Sequence, residues 1–233
     1  MRPRRPAIDA VTTYERYWKA REGAVRERLR RRSLQRARAA HAMLAIRSGT
    51  LLDVGCGPGF AAEFFAARGF AVTGVEPAPS AAQDARTRGI TVVEGDLSAG
   101  ALPPGPFDVV LALEVLEHLA DPIAALGALM RAARPDGEVV VSLPNEWHIL
   151  RRLALLLGAE PLGGAEDPHI RHFGLRAARR LFDAAGVPVR AERAIAIIPP
   201  WCGAADAAGR VLARAAPRLF GLSFLFLARK EGR

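Results

Sequence analysis

From Thr50 onward, short apolar runs alternate with stretches whose apolar residues recur at helical spacing. Strands that each feed a helix give this pattern, and such units build an α/β fold around a parallel sheet. The pattern predicts strands at Thr50–Gly55, Ala71–Glu76, Ile90–Glu94, Phe107–Leu113, Gly137–Ser142, Val187–Ile198 and Leu222–Arg229. Helices are expected at Gly59–Arg68, Pro79–Arg88, Pro122–Ala133, Asn145–Gly158, Leu175–Gly186 and Gly203–Ala216. Gly69, Gly89 and Gly186 mark three of the helix ends, where a left-handed residue closes the last turn. Upstream, Val25, Leu29, Ala37, Ala40 and Leu44 fall near helical spacing among arginines, which predicts an amphipathic helix over Ala24–Arg47. Tyr14, Tyr17 and Trp18 belong to a shorter helix before it. The stretch Gly158 to His172, rich in Gly, Pro, Glu and Asp, lacks periodicity and reads as a functional loop or lid.

Half of the 233 residues are hydrophobic, enough for one compact domain with one core. No apolar run approaches the roughly 18 residues that a membrane-spanning helix needs. The basic start, Met1 to Pro6, lacks the apolar stretch and cleavage site of a secretory signal, so a cytoplasmic location is expected. Cys56 and Cys202 are too few for a disulfide framework or a zinc pattern. The net charge of +9 suggests nucleic acid until its distribution is read. Met1 to Arg47 holds thirteen arginines and one lysine against four carboxylates, a net +10, so the rest of the chain carries −1. A near-neutral body with a basic N-terminal segment lacks the broad positive groove of a nucleic-acid enzyme. The arginines read first as a solvated helix face.

The densest chemistry lies in Leu51-Leu52-Asp53-Val54-Gly55-Cys56-Gly57-Pro58-Gly59-Phe60. An apolar strand runs into a turn with glycine at alternate positions and a helix follows, so bare backbone and helix-start amides face whatever binds there. Nucleotide, flavin and methyl-donor sites all use such a loop, and some loops of this kind only turn. Two carboxylates narrow the choice. Glu76 ends the second strand and Asp96 follows the third, and strand C-termini line the ligand edge of a doubly wound sheet. An acid about 20 residues past the loop suits a ribose diol, and Asp96 could accept from an adenine amino group. Gly55, Gly57 and Gly59 are spaced G-x-G-x-G, unlike the G-x-G-x-x-G of dinucleotide enzymes.

With LLDVGCGPG, VTGVEP, VEGD, FDVVLALEVLEHL and RPDGEVVVSLPN in this order over about Gly49 to Asn145, the chain resembles class I S-adenosylmethionine-dependent methyltransferases. The resemblance implies a Rossmann-like, seven-stranded, mostly parallel sheet with an antiparallel last strand and helices on both faces. Ser223 to Leu227 would supply that last strand. It assigns Asp53, Gly55, Gly57 and Gly59 to the methionine part of the donor, with Cys56 carried in the same loop or simply filling the turn. Glu76 would hold the ribose hydroxyls, Pro77 would pack near the adenine, Asp96 and Leu97 would bind the adenine ring, and Glu114 would line the donor pocket. The chain divides into an N-terminal helical lid over 1–47 and a methyltransferase domain over 48–233, with an acceptor-binding insert at about 144–173.

Methyl transfer needs positioning more than acid or base help, although a hydroxyl acceptor gains from a nearby proton acceptor. Glu114, Glu117 and His118 would share a face if a helix begins near Glu114. Their segment resembles ubiquinone-biosynthesis-type O-methyltransferases, which implies a place beside the acceptor and allows a divalent metal at Glu117 and His118. Ligands from one helix make only part of a metal site, so a metal is disfavoured. His118 is the expected base, with His148 and His172 arriving on the insert to shape the pocket; each also reads as a hydrogen-bonded structural residue. The stripe Trp147, Leu150, Leu153, Ala154 and Leu157 would roof an apolar acceptor or pack in the core. A small, partly apolar molecule methylated at oxygen is therefore the expected acceptor.

Two other functions compete with this one. A nucleic-acid methyltransferase would show an Asn/Asp-Pro-Pro-aromatic motif where this chain has Leu113-Glu114-Val115-Leu116. A donor-binding partner without catalysis fits the glycine loop, which also resembles methionine-biosynthesis accessory proteins. The sequence leaves a homodimer open.

Overall fold

The computed structural model describes residues 10–21, 23–97, 100, 102–159, 169–197 and 204–232. Ile198, Gly203, Cys202 and residues 160–168 of the expected loop lie outside these. Helices α1 (Ala10–Lys19) and α2 (Gly23–Met43) precede β1 (Gly49–Val54), α3 (Phe60–Ala66), β2 (Phe70–Glu76), α4 (Pro79–Thr87), β3 (Thr91–Glu94) and β4 (Phe107–Leu113). After a 3₁₀ turn at Leu116–His118 come α5 (Pro122–Ala132), β5 (Ala133–Pro144), α6 (Ile149–Leu156), α7 (Leu175–Ala184), β6 (Val189–Ala196), α8 (Ala204–Ala215), α9 (Pro217–Phe220) and β7 (Gly221–Arg229).

The seven strands form one sheet in the order β3-β2-β1-β4-β5-β7-β6. β7 is antiparallel to both neighbours, and the pairs from β3 across to β5 are parallel. Successive strand residues point to opposite faces, so nearly continuous apolar strands feed two cores. Leu52, Val54, Val110, Val139 and Phe226 pack with Leu126 and Leu129 of α5 and with Leu181 and Phe182 of α7. Leu51, Val109, Leu111, Val140 and Leu225 pack on the other face with Phe64 and Phe65 of α3 and with Ala37 and Ala40 of α2. The arginine-rich helix is thus packed on the sheet through its small residues. Behind it, the Glu138 carboxylate accepts from the amides of Ala45 and Ile46 at 2.9–3.1 Å and ties the exit of α2 to β5.

Several boundaries differ from the periodicity for local reasons. Gly69, Gly89 and Gly186 do end helices at positive φ. α6 starts four residues later than expected because Asn145 and Glu146 are held at the strand end and His148 caps the helix. No helix begins at Glu114. That residue sits at φ 61, a conformation costly for a side chain with a Cβ, and only the short 3₁₀ turn follows. Among the described residues no helix is long and apolar enough to cross a membrane.

Candidate functional site

The sheet order reverses between β1 and β4, and a crevice opens outside the strand ends there. The loop after β1 crosses to β2, where the amides of Gly55 and Cys56 both donate to the Val75 carbonyl. Gly55, Gly57 and Gly59 take φ of 68, 52 and 81. A Cβ on Gly57 would lie 2.7 Å from the Trp18 ring, so the α1 indole rests directly on bare backbone. The buried Glu76 carboxylate closes this corner. Its Oε2 accepts from the Gly57 amide at 2.9 Å, its Oε1 accepts from the Ala78 amide at 3.1 Å, and the Trp18 indole also donates to it. Cys56 packs its sulfur over the bare face of Gly74, and burial pushes its thiol far above the ordinary range, so it stays protonated.

A cavity of about 290 Å³ fills the crevice. Gly55, Cys56, Gly57, Glu76, Pro77, Asp96 and Leu97 form one wall, Glu114, His118 and His169 another, and Tyr14, Trp18 and Arg36 of α1 and α2 complete the lining. Gly59 and Asp53 do not line it. Asp53 lies beneath the loop with Oδ2 unpartnered, and burial, together with the Glu76 charge, raises its carboxyl to about 7. Glu76 is likewise raised to about 7, chiefly by burial, against the lowering effect of its backbone hydrogen bonds.

The second wall is built on β4 and the 3₁₀ turn. Glu114 is held by Arg36 at 2.9 Å and by the Ser142 hydroxyl at 2.9 Å, which accounts for its tolerated backbone conformation. Glu117 turns inward, fully buried, and neither carboxylate oxygen has a hydrogen-bond partner. Burial and the neighbouring Glu114 raise its carboxyl well above the usual range. The carbonyl of Glu117 receives the amides of Ile170 and Arg171 at 3.1 and 3.0 Å, and Arg171 donates to the carbonyls of Leu119 and Ala120. This clamp brings His169 beside His118, with ring centroids 4.7 Å apart. Each Nε2 lies about 4 Å from Glu117 Oε1, at 3.9 Å for His118 and 4.0 Å for His169. The other face of His169 is set by Glu146, 3.3 Å from Nδ1. The Tyr14 ring meets His118 edge to face at 5.6 Å.

Glu117, His118 and His169 have ligand atoms within 4.8 Å of one another. Two imidazoles and a carboxylate suit zinc, iron or manganese, and the orphaned Glu117 oxygens want a cation. Glu146 stands where an outer carboxylate orients a ligating histidine. The residues therefore fit a divalent metal, with its third ligand from the insert and not from one helix.

The structure thus gathers His118 and most of the expected donor residues around one cavity. It places His148 and His172 elsewhere. His148 Nδ1 accepts from the Arg151 amide at 3.3 Å as the N-cap of α6, and burial lowers its pKa. His172 is exposed and does not line the cavity. His169 is the residue that sequence reasoning passed over as a catalytic candidate. No local pattern in the sequence marks His169: residues 169–174 form no strand or helix, and His169 reaches the cavity through the backbone contacts of Ile170 and Arg171 with Glu117.

Comparison with known proteins agrees with this geometry. The family model described as "Methyltransferase domain" matches residues 17–192. A ubiquinone biosynthesis O-methyltransferase of Methylococcus capsulatus is 38% identical over 130 residues, 53% of this chain and 54% of the relative. Its counterpart in Aeromonas salmonicida is 34% identical over 152 residues, 60% of this chain and 63% of the relative. The chain spans about half the length of the first relatives it matches. Among solved structures, an S-adenosylmethionine-dependent methyltransferase of Thermotoga maritima, described as a possible histamine N-methyltransferase, superposes with a TM-score of 0.67. It is 20% identical and the match covers 94% of this chain and 99% of that one, a likeness of fold.

Proposed function

Because the chain belongs to the class I S-adenosylmethionine-dependent methyltransferases, we propose that it methylates a small, partly apolar molecule at an oxygen. One observation carries the reading: a single cavity joins a wall bearing the Glu76 and Asp96 carboxylates to a wall bearing two imidazoles. The names of the relatives, O-methyltransferases of ubiquinone biosynthesis, support an oxygen acceptor on an apolar body. A cytoplasmic location belongs to the same reading.

The bound donor supplies a methyl group on a sulfonium. Glu76 accepts from the ribose hydroxyls, Pro77, Asp96 and Leu97 hold the adenine, and Gly55 to Gly59 pass close to the methionine part with Asp53 supporting the loop from beneath. Glu114, fixed by Arg36 and Ser142, borders the reacting end. His118 or His169 takes the acceptor's hydroxyl proton, and the buried Glu117 stabilises the imidazolium so formed. A divalent ion held by Glu117, His118 and His169 would instead polarise the acceptor oxygen directly. His148 caps α6 and His172 lies outside the cavity, so neither takes part in the transfer. Helices α1 and α2 close the cavity as its lid.

Donor-dependent methyl transfer screened over phenols, acids, sugars and quinone precursors tests this. Turnover with one class and its loss in His118→Ala/His169→Ala supports it. Donor binding with no turnover, together with a stable complex with another protein, would mark a binding partner. A salt-sensitive shift of RNA would mark a nucleic-acid enzyme.

A further inference from the structure

The insert after β5 carries one imidazole into the cavity, and its helix does little to place it. Helix α6 has no buried residue, and Leu150, Leu153 and Leu157 of the expected stripe are 59%, 46% and 87% exposed, so they neither roof the cavity nor pack in a core. Between α6 and the buried Phe173, the position of His169 rests on polar contacts. On one side Arg171 gives its amide to the Glu117 carbonyl at 3.0 Å and its guanidinium to the carbonyls of Leu119 and Ala120. On the other stands Glu146, buried just past the end of β5, with its own amide on the Phe173 carbonyl at 3.0 Å.

Two imidazoles line the cavity, and the carboxylate behind them does not tell them apart. Glu117 Oε1 lies 3.9 Å from His118 Nε2 and 4.0 Å from His169 Nε2, outside hydrogen-bond reach of both. Glu146 does tell them apart. Its Oε1 lies 3.3 Å from His169 Nδ1, and its Oε2 faces the Arg151 guanidinium at 4.0 Å. A neutral imidazole carries one N–H and one lone pair, so a carboxylate, which only accepts, favours the tautomer that donates to it. Glu146 does not line the cavity and His169 does, which sets the ring between the two.

We propose that Glu146 is a positioning residue: it accepts a hydrogen bond from His169 Nδ1, leaves the Nε2 lone pair for the cavity, and so makes His169 the imidazole that receives the hydroxyl of the methyl acceptor. The proposal rests on the reading of this cavity as the site of a hydroxyl compound. His118 then serves as the wall beside it, 4.7 Å from His169 between ring centroids and edge to face with Tyr14. The arrangement also selects among acceptors. A bare Nε2 takes a hydrogen bond from a hydroxyl and offers none to a compound that presents only a lone pair, such as a tertiary amine.

Nitrogen-15 histidine spectra of the full chain test it, because a protonated and a bare ring nitrogen resonate far apart. They are taken without methyl acceptor, in a chelator so that no ion fixes the ring instead, and at about pH 9, above the ordinary range of histidine. The chain has five histidines, and His169→Gln identifies the signal. Nδ1 protonated and Nε2 bare is the expected result, kept in Glu146→Gln, whose amide oxygen still accepts, and lost to the Nε2–H form in Glu146→Ala. With a hydroxyl compound that turns over, Glu146→Ala should lower kcat about 10–100-fold, as for other outer carboxylates that orient a histidine, with donor KM kept and Glu146→Gln restoring most of the rate. An Nε2–H tautomer in the unaltered chain would overturn the proposal whether or not the alanine variant folds. The same kcat in Glu146→Ala as in the unaltered chain would overturn it too. The Nδ1–H form beside no turnover of any hydroxyl compound would sink the acceptor reading while upholding the hold of Glu146 on the ring.

Discussion

Glu76→Ala is expected to weaken donor binding without unfolding the chain, and the size of the loss follows from the hydrogen bonds the carboxylate already makes. Oε2 takes the Gly57 amide, Oε1 takes the Ala78 amide and the Trp18 indole donates a third bond, which leaves the carboxylate one acceptor site for a ribose hydroxyl. A hydrogen bond to a charged group contributes about 1.5–3 kcal/mol, so the variant should bind roughly 10–150-fold more weakly. Because the ribose is common to S-adenosylmethionine and its demethylated product, calorimetry should show the same loss for both. Proton linkage gives an independent check. Burial raises the Glu76 carboxyl to about 7, and the hydroxyls need its ionised form, so binding near neutrality should release protons and weaken as pH falls below that value. Buffers of different ionisation heat measure the release, which Glu76→Ala should reduce. Unchanged affinity in a folded variant, or a loss confined to the sulfonium form, would refute the assignment of Glu76 to the ribose.

Asp53 and Glu76 both hold protons in the folded state that the unfolded chain gives up near pH 4, so the stability they contribute below that point is lost as pH rises to about 7; thermal melts should fall over this window, and Asp53→Asn should flatten the fall. Alanine at whichever of His118 and His169 takes the proton should slow transfer roughly 10²–10⁴-fold with donor affinity kept, as for a positioned base, whereas His148→Ala should leave the rate within a few-fold and cost α6 its cap, about 0.5–2 kcal/mol; equal rate effects in all three variants would contradict the placement. Deleting residues through 21 should leave a folded sheet with impaired donor or acceptor binding, and deletion through Arg47 should unfold it by removing Ala37, Ala40 and Leu44 from the core; equal melting of the two truncations counts against that difference. Elemental analysis after dialysis against zinc or manganese should find one ion per chain, and none in Glu117→Gln/His169→Ala, if the trio holds a metal.

The sheet and its ligand edge were readable from the chain because they rest on local rules. Alternating apolar runs, helix-stopping glycines and a Gly-rich turn depend on residues a few positions apart, and the carboxylates at strand ends follow from topology. For the same reason Gly55, Gly57, Glu76 and Asp96 could be named together in advance. The acceptor side was not readable in this way. Glu114 takes a left-handed conformation with its carboxylate held by Arg36 and Ser142, 78 and 28 residues distant in sequence, and the helical face expected for Glu114, Glu117 and His118 does not form. His169 joins His118 only because the Glu117 carbonyl captures two amides from the insert, a contact between segments some fifty residues apart. The leucines of α6 show the same limit: periodicity gives the stripe, but whether a stripe is core or surface depends on what lies opposite it, which is decided when the whole chain packs.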